Sequence, residues 1–473
     1  MKILLINVAL RPKSTVKFLP LGLAYIATAL KNANFSFDLL DIDAYRYSDE
    51  EIHAFLSKNH YDVILMGCIV TGYRIIKEYA RIIRKYYPDS TIIVGNSVAD
   101  SIPDILLSKT ETDIVIIGEG DVTIVELLES LENGKDLAGV QGIAFKTWNS
   151  GIHRTPDRPP IKDLSRIPFI DYSIWDMEIY IEGYRNGLNE PTPLPRSKIR
   201  GIAVNTARGC VNRCTFCYHV FRNVPYRHRP WKHVLGEIRY LIENYQMNYI
   251  GFHDELTFSS KHSVKEFIEA MKESGLHFFW TADCRGNLFT REEDLELLLA
   301  LKEIGCVGMG YSLESSNHEI LTAMNKHMTP EQFTTQTSLF IKAGIPAWTS
   351  LVFGFPQETP ETIKNTIDCC IQNKIYPSAG YLLPFPGSEM YQYAMDRGII
   401  DKDDEEAYLL KLGDRQDLRV NLTSMPDLLF QKVLTDELQR CNETLNIGLS
   451  EQELTKTQYY RVPEGGQSAD KAR

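Results

Sequence analysis

Gly201-Ile-Ala-Val-Asn-Thr-Ala-Arg-Gly-Cys-Val-Asn-Arg-Cys-Thr-Phe-Cys-Tyr218 decides how this chain is read. Its first four residues are apolar without alternation, as in a strand buried on both faces. The loop beyond presents Cys210, Cys214 and Cys217. Soft thiolates so close together can close around zinc or an iron-sulfur cluster. Three is one too few for a closed zinc site, and the nearest further ligand, His219, follows too directly to complete a tetrahedron. In a four-iron cluster, three thiolates leave one iron without a protein ligand, and a small molecule can bind there.

Outward from that strand the same alternation repeats. Strand patterns run Gly201 to Thr206, Tyr249 to His253, Phe278 to Cys284, Val307 to Leu313, Ala347 to Phe353 and Ala379 to Leu383, with helical spacing between them. Six such units predict a partial (β/α)6 barrel over residues 201–395, with its chemistry at the carboxyl ends of the strands. Residues 1–145 form an earlier series. Apolar runs at Lys2 to Asn7, Phe35 to Asp41, Asp62 to Gly67, Thr91 to Gly95 and Asp113 to Gly118 alternate with helical segments, which predicts an α/β doubly wound parallel sheet. Its ligand edge would be the turns holding Thr71, Gly95 with Ser97, and Gly118-Glu119-Gly120. Pro-rich residues 146–200 read as a linker, and 396–473 as a mostly helical C-terminal region whose end, Glu464 to Arg473, has a disordered composition.

A net charge of -11 over 473 residues argues against duplex nucleic acid or an anionic membrane as partner. The local basic group Arg222, Arg227, His228, Arg229 and Lys232 could still hold an anion or be solvated loop charge. No apolar run approaches the roughly 20 residues of a membrane span. Arg11-Pro12-Lys13 interrupts the apolar start, so Ile3 to Leu10 reads as a first strand and not as a signal peptide. Nine cysteines, an odd number with three bunched, suit reduced cytoplasm and metal binding better than disulfides.

C-x3-C-x2-C with Phe216 before the last cysteine, after the first strand of a βα barrel, resembles the radical S-adenosylmethionine (SAM) superfamily. The resemblance implies a 4Fe-4S cluster on the three cysteines and SAM chelated to the open iron. It also implies an electron donor such as flavodoxin or ferredoxin, and a 5′-deoxyadenosyl radical that takes hydrogen from a small-molecule substrate. It assigns Asp254 and Glu255 to the methionine ammonium, Arg285 to its carboxylate or a substrate anion, Ser312 and Glu314 to the ribose, and Phe216 and Val352 to adenine. The structural alternatives are a helix cap for the acids, a surface ion pair for Arg285, a structural carboxylate for Glu314 and core packing for the apolar pair.

Gly354-Phe-Pro-Gln-Glu-Thr359 and Pro384-Phe-Pro-Gly-Ser388 are similar to turns of the subgroup carrying an N-terminal cobalamin-binding domain, and residues 1–145 are similar to that domain. Small residues at Thr71, Gly95, Ser97, Gly118 and Gly120, with Glu119, would border cobalamin. The D-x-H-x-x-G motif is absent, which implies binding without a protein imidazole on cobalt, and Asn96 stands where a second glycine would leave more room. The implied activity is cobalamin-dependent C-methylation of an unactivated carbon in a small molecule. The alternative is a cobalamin-free deoxygenase, decarboxylase or rearrangement enzyme, in which Cys284, Cys306, Tyr311 or Tyr381 would return a hydrogen atom or proton. From a different class, a non-enzymatic cofactor sensor would cleave no SAM.

Overall fold

Two runs of β-branched and aliphatic residues seed two sheets, one in each half of the chain. The structure is a computed structural model and describes residues 1–149, 151–188 and 191–455, so Glu464 to Arg473 lie outside the described residues. In the first half, β1 (Ile3–Asn7), β2 (Phe37–Asp41), β3 (Val63–Gly67), β4 (Thr91–Gly95) and β5 (Ile114–Ile116) pair in parallel, in the order β2-β1-β3-β4-β5. Helices cover both faces, and β1 is buried along its whole length, as doubly wound sheets require.

The sheet does not end at residue 145. β6 (Ile143–Lys146) and β7 (Ile152–Arg154) extend it to seven strands, both antiparallel. β6 comes back antiparallel to β5 after the helix Gly120–Glu132, and the short turn from β6 to β7 can only return a strand antiparallel to its neighbour, so the purely parallel expectation is corrected at this edge.

The expected linker over 146–200 is corrected too. Besides β7 it contains the helix Met177–Asn186, whose Tyr180 hydroxyl donates to Asp41 at 2.6 Å and accepts from Asn7 at 3.1 Å. Tyr172 and Trp175 are buried, and Tyr172 donates to Glu237 at 2.9 Å. The prolines interrupt helical periodicity, but the aromatic residues between them pack between the two halves.

In the second half, β8 (Gly201–Val204) leads into the cysteine loop, whose ends are joined by the short antiparallel pair β9 (Ala207–Arg208) and β10 (Arg227–His228). β11 (Tyr249–Phe252), β12 (Phe279–Asp283), β13 (Cys306–Gly310) and β14 (Ala347–Trp348) follow β8 in one parallel sheet, and β15 (Ser350–Phe353) pairs with β16 (Ser378–Tyr381). The strand expected over Ala347 to Phe353 is broken at Thr349, whose hydroxyl accepts from Leu313 N–H at 3.1 Å, while a bridge from Glu314 to Leu351 carries the curvature onward.

The C-terminal region covers the open barrel edge. Tyr381 N–H donates to Arg415 carbonyl at 2.8 Å, Ala379 bridges Thr455, and the helix Asp427–Leu445 packs on Pro360–Gln372. An exposed strand edge is a pairing hazard, and this covering removes it. Arg11 meets Asp414 at 2.7 Å, and Tyr73 donates to Glu406 at 2.5 Å, so the same region grips the first domain. Among the described residues no helix is long and apolar enough to cross a membrane. All nine cysteines are free thiols.

Candidate cofactor site

The loop between β9 and β10 is fixed from several sides before any ligand is considered. Arg222 Nη1 donates to the carbonyls of Cys214 and Cys217 at 2.7 and 2.9 Å. Thr215 bonds through its N–H and hydroxyl to Met324 and Ala323, and Asn325 holds the Arg213 carbonyl at 2.9 Å. Cys214 is buried, and Cys210 and Cys217 are half-buried. Burial, then the neighbouring sulfurs Cys214 and Cys210, push the Cys217 thiol up to about 12, while Lys326 and Arg222 pull it down. Among the described residues no three His, Cys, Asp or Glu side chains gather as they would around a single ion. The three clustered thiols and the backbone N–H of Asn212 on the Cys210 sulfur at 3.4 Å are donor chemistry that fits an iron-sulfur cluster.

Around the cysteines stand buried polar atoms without partners. Glu314 binds Lys326 at 3.1 Å through Oε1, while its Oε2 and the Arg285 Nε have none. Glu314 has a φ of 65°, so this carboxylate is held in a backbone conformation that non-glycine residues seldom adopt. Ser312 is half-buried two residues before it. Arg285 lies within electrostatic reach of Cys210. Val352 is buried in an apolar cluster against which Phe216 packs, and Phe216 meets Phe355 edge-on at 6.0 Å.

The role expected of Asp254 is corrected. Its carboxylate is taken up by Thr206 N–H at 2.7 Å, Thr206 hydroxyl at 2.6 Å, Ala207 N–H at 3.0 Å and Thr257 hydroxyl at 3.0 Å. It anchors the start of the cysteine loop. Glu255 remains available, accepting from Gly209 N–H at 3.2 Å at the cavity wall. Most of the basic group is internal: Arg229 pairs with Glu237 at 2.6 Å, Arg222 holds the loop carbonyls, and His228 lies against Trp231 at 4.4 Å, while Lys232 is exposed. Cys284, Cys306, Tyr311 and Tyr381 are core residues, Tyr311 bonding Thr337 at 3.1 Å among helices.

A cavity of about 360 Å³ lies between the carboxyl edge of the first sheet and the cysteine loop. Gly67, Gly95, Ser97, Gly118, Glu119 and Gly120 line one side, and Ala207, Arg208, Tyr218, His219, Phe221 and Glu255 the other. A Cβ added at Gly95 or Gly118 would have no atom within 4 Å, so these glycines leave the space open for a bound group. Thr71 is corrected: it sits in the turn Val70–Gly72 and Ile69 lines the cavity instead. Asn96 has a φ of 69°, a conformation asparagine tolerates, and its side chain folds back to accept from Ser97 N–H at 2.6 Å. His53 bonds Tyr86 at 3.0 Å, away from the cavity. His219 faces in from the barrel side with a buried, unpartnered Nδ1.

Residues 204–370 match the radical SAM superfamily, and residues 9–128 match the B12 binding domain. The chain thus carries a radical SAM domain preceded by a B12-binding domain. Its cofactors are a 4Fe-4S cluster, SAM and cobalamin. An uncharacterized methyltransferase of Pyrococcus horikoshii is 27% identical over 387 residues, covering 80% of this chain and 79% of that protein. The anaerobic magnesium-protoporphyrin IX monomethyl ester cyclase of Rubrivivax gelatinosus is 25% identical over 389 residues, covering 80% and 66%. Among solved structures, the radical SAM methyltransferase TsrM of Kitasatospora setae with cobalamin and a [4Fe-4S] cluster bound superimposes with a TM-score of 0.65 at 20% identity, covering 85% of this chain and 75% of that one. That likeness is one of fold.

In this enzyme the radical SAM and B12-binding domains are bolted together by charges. Arg208 Nη1 donates to Glu119 and Asp121, each at 2.8 Å, and its Nη2 to Asp121 at 2.9 Å. Arg227 Nη1 donates to both Glu119 oxygens at 3.0 Å and to Ile161 carbonyl at 2.7 Å. Tyr218 in the cysteine loop bonds Asp100, whose other oxygen accepts from Gly118 N–H at 2.8 Å. Glu119 thus belongs to an ionic clamp as well as to the cavity wall. Sequence reasoning missed Asp121, Arg208 and Lys326 as site residues and read Arg227 only as part of a basic group that could hold an anion; the acidic turn and the arginine two residues before Cys210 were visible, but their pairing across 87 positions was not.

Proposed function

We propose that this enzyme transfers a methyl group to a carbon atom of a small molecule, with its two cofactor regions facing each other across the cavity between sheet and barrel. The observation that carries the reading is that cavity, walled on one side by the glycine edge of the B12 domain and on the other by the cysteine loop. When bound, the cluster and SAM supply a hydrogen-abstracting radical, and cobalamin supplies a transferable methyl group.

The chain's part is to hold and to exclude. Cys210, Cys214 and Cys217 carry the cluster, and Arg222 keeps their loop rigid. Arg285, Ser312, Glu314 and Lys326 supply the polar wall for SAM, Glu255 takes its ammonium, and Phe216 and Val352 give adenine an apolar face. Gly95, Ser97, Gly118, Glu119 and Gly120 border cobalamin. The methyltransferase names of the Pyrococcus horikoshii relative and of TsrM support methyl transfer. The match to a cyclase favours a second reading, a radical transformation without methylation. We further propose a flavodoxin- or ferredoxin-type electron donor and a cytoplasmic setting, supported by the nine free thiols.

The test is anaerobic reconstitution with iron, sulfide and cobalamin, followed by product analysis. Methyl transfer predicts S-adenosylhomocysteine together with 5′-deoxyadenosine; deoxyadenosine alone would support the second reading. Cys214→Ala should lose both cluster absorbance and SAM cleavage, and cleavage at the native rate in that variant would overturn the cluster assignment.

A further inference from the structure

The cofactor cavity has two unlike parts. Three adjacent strands finish on the same pattern, Leu65-Met-Gly67 on β3, Ile93-Val-Gly95 on β4 and Ile116-Ile-Gly118 at the end of β5. Side chains two apart on a strand share a face, so on one face of the sheet each aliphatic residue is followed by a bare glycine. The register lines these up: Leu5 lies beside Leu65, Leu65 beside Ile93, and Gly67 beside Gly95. The two helices over this face repeat the step. Gly22 precedes Ile26 in the helix Leu21–Asn32, and Gly120 precedes Ile124 in the helix Gly120–Glu132, each pair about one turn apart.

All of these residues line the one cavity. Its mouth is open where the glycines stand, with no atom within 4 Å of a Cβ at Gly95 or Gly118. Behind the mouth it continues as a slot between sheet and helices, floored by Leu5, Leu65, Ile93 and Ile116 and roofed by Ile26 and Ile124. A Cβ on Gly120 would stand 2.8 Å from Ile26 Cδ1, so the isoleucine of one helix leans onto the first turn of the other.

The polar groups nearest the slot are already engaged. Tyr25 lines the cavity, but its hydroxyl accepts from Arg229 at 3.4 Å. The Ser97 hydroxyl accepts from Val70 N–H at 3.1 Å, and Glu119 and Asp121 are held by the arginine clamp. The backbone groups of β1, β3 and β4 are spent in ladders on both sides of each strand. A polar edge pushed into this slot loses water and gains no partner. A flat apolar ring is stabilised there by the area it buries.

Cobalamin has one part of that kind. The amides around its corrin ring suit the polar mouth, while its nucleotide ends in dimethylbenzimidazole, whose outer edge carries only methyl groups. Corrinoids with adenine in that place carry ring nitrogens and an amine on the same edge.

We infer that this enzyme selects its corrinoid by the nucleotide base. The aliphatic slot under the glycine edge takes a benzimidazole and rejects an adenine. This rests on cobalamin being the cofactor and is independent of the reaction performed.

Equilibrium binding tests it without turnover. Protein reconstituted anaerobically with iron and sulfide is titrated spectrophotometrically with cobalamin, with adeninylcobamide and with cobinamide, which lacks the nucleotide. Cobalamin should bind roughly tenfold tighter or better than either of the others, since adenine leaves polar groups unpaired and cobinamide leaves the slot unfilled. Ile124→Phe, which puts a ring of the protein's own into the slot, should weaken cobalamin at least tenfold and leave cobinamide unchanged, with native cluster absorbance confirming the fold. Adeninylcobamide or cobinamide binding the native protein as tightly as cobalamin overturns the slot while the cofactor stands. So does a folded Ile124→Phe variant that keeps the native preference for cobalamin over cobinamide. Failure of all three corrinoids to bind the native protein overturns the slot and the cofactor together.

Discussion

Replacing Glu119 by Gln tests whether the two cofactor regions are held together by charge. The side chains of Glu119, Arg227, Arg208 and Asp121 are 7%, 9%, 12% and 14% exposed, so water does little to screen the clamp. Removing one partner of a buried pair costs about 3–5 kcal/mol. Here Asp121 still neutralises Arg208, and the Gln carbonyl can still accept one guanidinium N–H. The loss falls on Arg227, whose Nε and Nη2 already lack partners. That brings the cost just below this range, to about 2–3 kcal/mol.

The amides of β9 and β10 report it, because their pairing depends on both arginines staying in place. Native-state hydrogen exchange at these amides should accelerate roughly thirty- to hundredfold, while amides of β1 and β3 keep their protection. Adding Arg227→Met to Glu119→Gln should restore part of the loss, since no unpaired charge then remains buried. Acceleration below about threefold in the single variant would refute the reasoning: the network would then be worth no more than exposed ion pairs.

Gly95→Leu should fill the cofactor cavity, since no atom stands within 4 Å of a Cβ there; cobalamin affinity should fall more than about tenfold by spectrophotometric titration, with the iron content unchanged. Arg222→Met removes the donors at 2.7 and 2.9 Å on the Cys214 and Cys217 carbonyls and should cost the loop about 2–3 kcal/mol, read as faster loss of cluster absorbance under chelator. Glu358 is 1% exposed, and burial raises its carboxyl to about 7 although Gly354 N–H donates to it. The folded state then holds a proton that the unfolded state has released between pH about 7 and about 4.5, so this group stabilises the fold as pH falls through that window. Urea unfolding should show Glu358→Gln lacking that rise, a difference of up to about 3 kcal/mol; parallel pH profiles of variant and native protein would contradict it.

The two alternating series were legible because strands buried on both faces are written as unbroken aliphatic runs. Thr91–Gly95 and the helices Leu21–Asn32, Asp49–Lys58 and Tyr73–Tyr86 fall where periodicity sets them. Residues 146–200 were not legible, since Tyr172, Trp175 and Tyr180 bury themselves singly and leave no period to read. The glycine edge was legible for a steric reason, yet Thr71, also read as a small residue of that edge, lies elsewhere because the turn after β3 is closed by Ile69 and Gly72. Asp254 and Glu255 look alike in sequence. The structure separates them by donor supply: five groups of the cysteine loop and its surroundings saturate the first and one N–H engages the second.

The inner face of the partial barrel shows why some side-chain placements stay hidden even where the strands are read correctly. Between β12 and β13 the register jumps, Trp280 facing Cys306 but Thr281 facing Gly308, so Val307 is left over. A shift of one residue exchanges the two faces of a strand. Without the bulge, Gly308 and Gly310 would turn to the helices, and Cys306 and Met309 could not both pack outward as they do. The space over Gly308 and Gly310 that Trp348 and Asp283 occupy therefore depends on one extra residue in a ladder, and no pattern of residue types along β13 announces which residue that is.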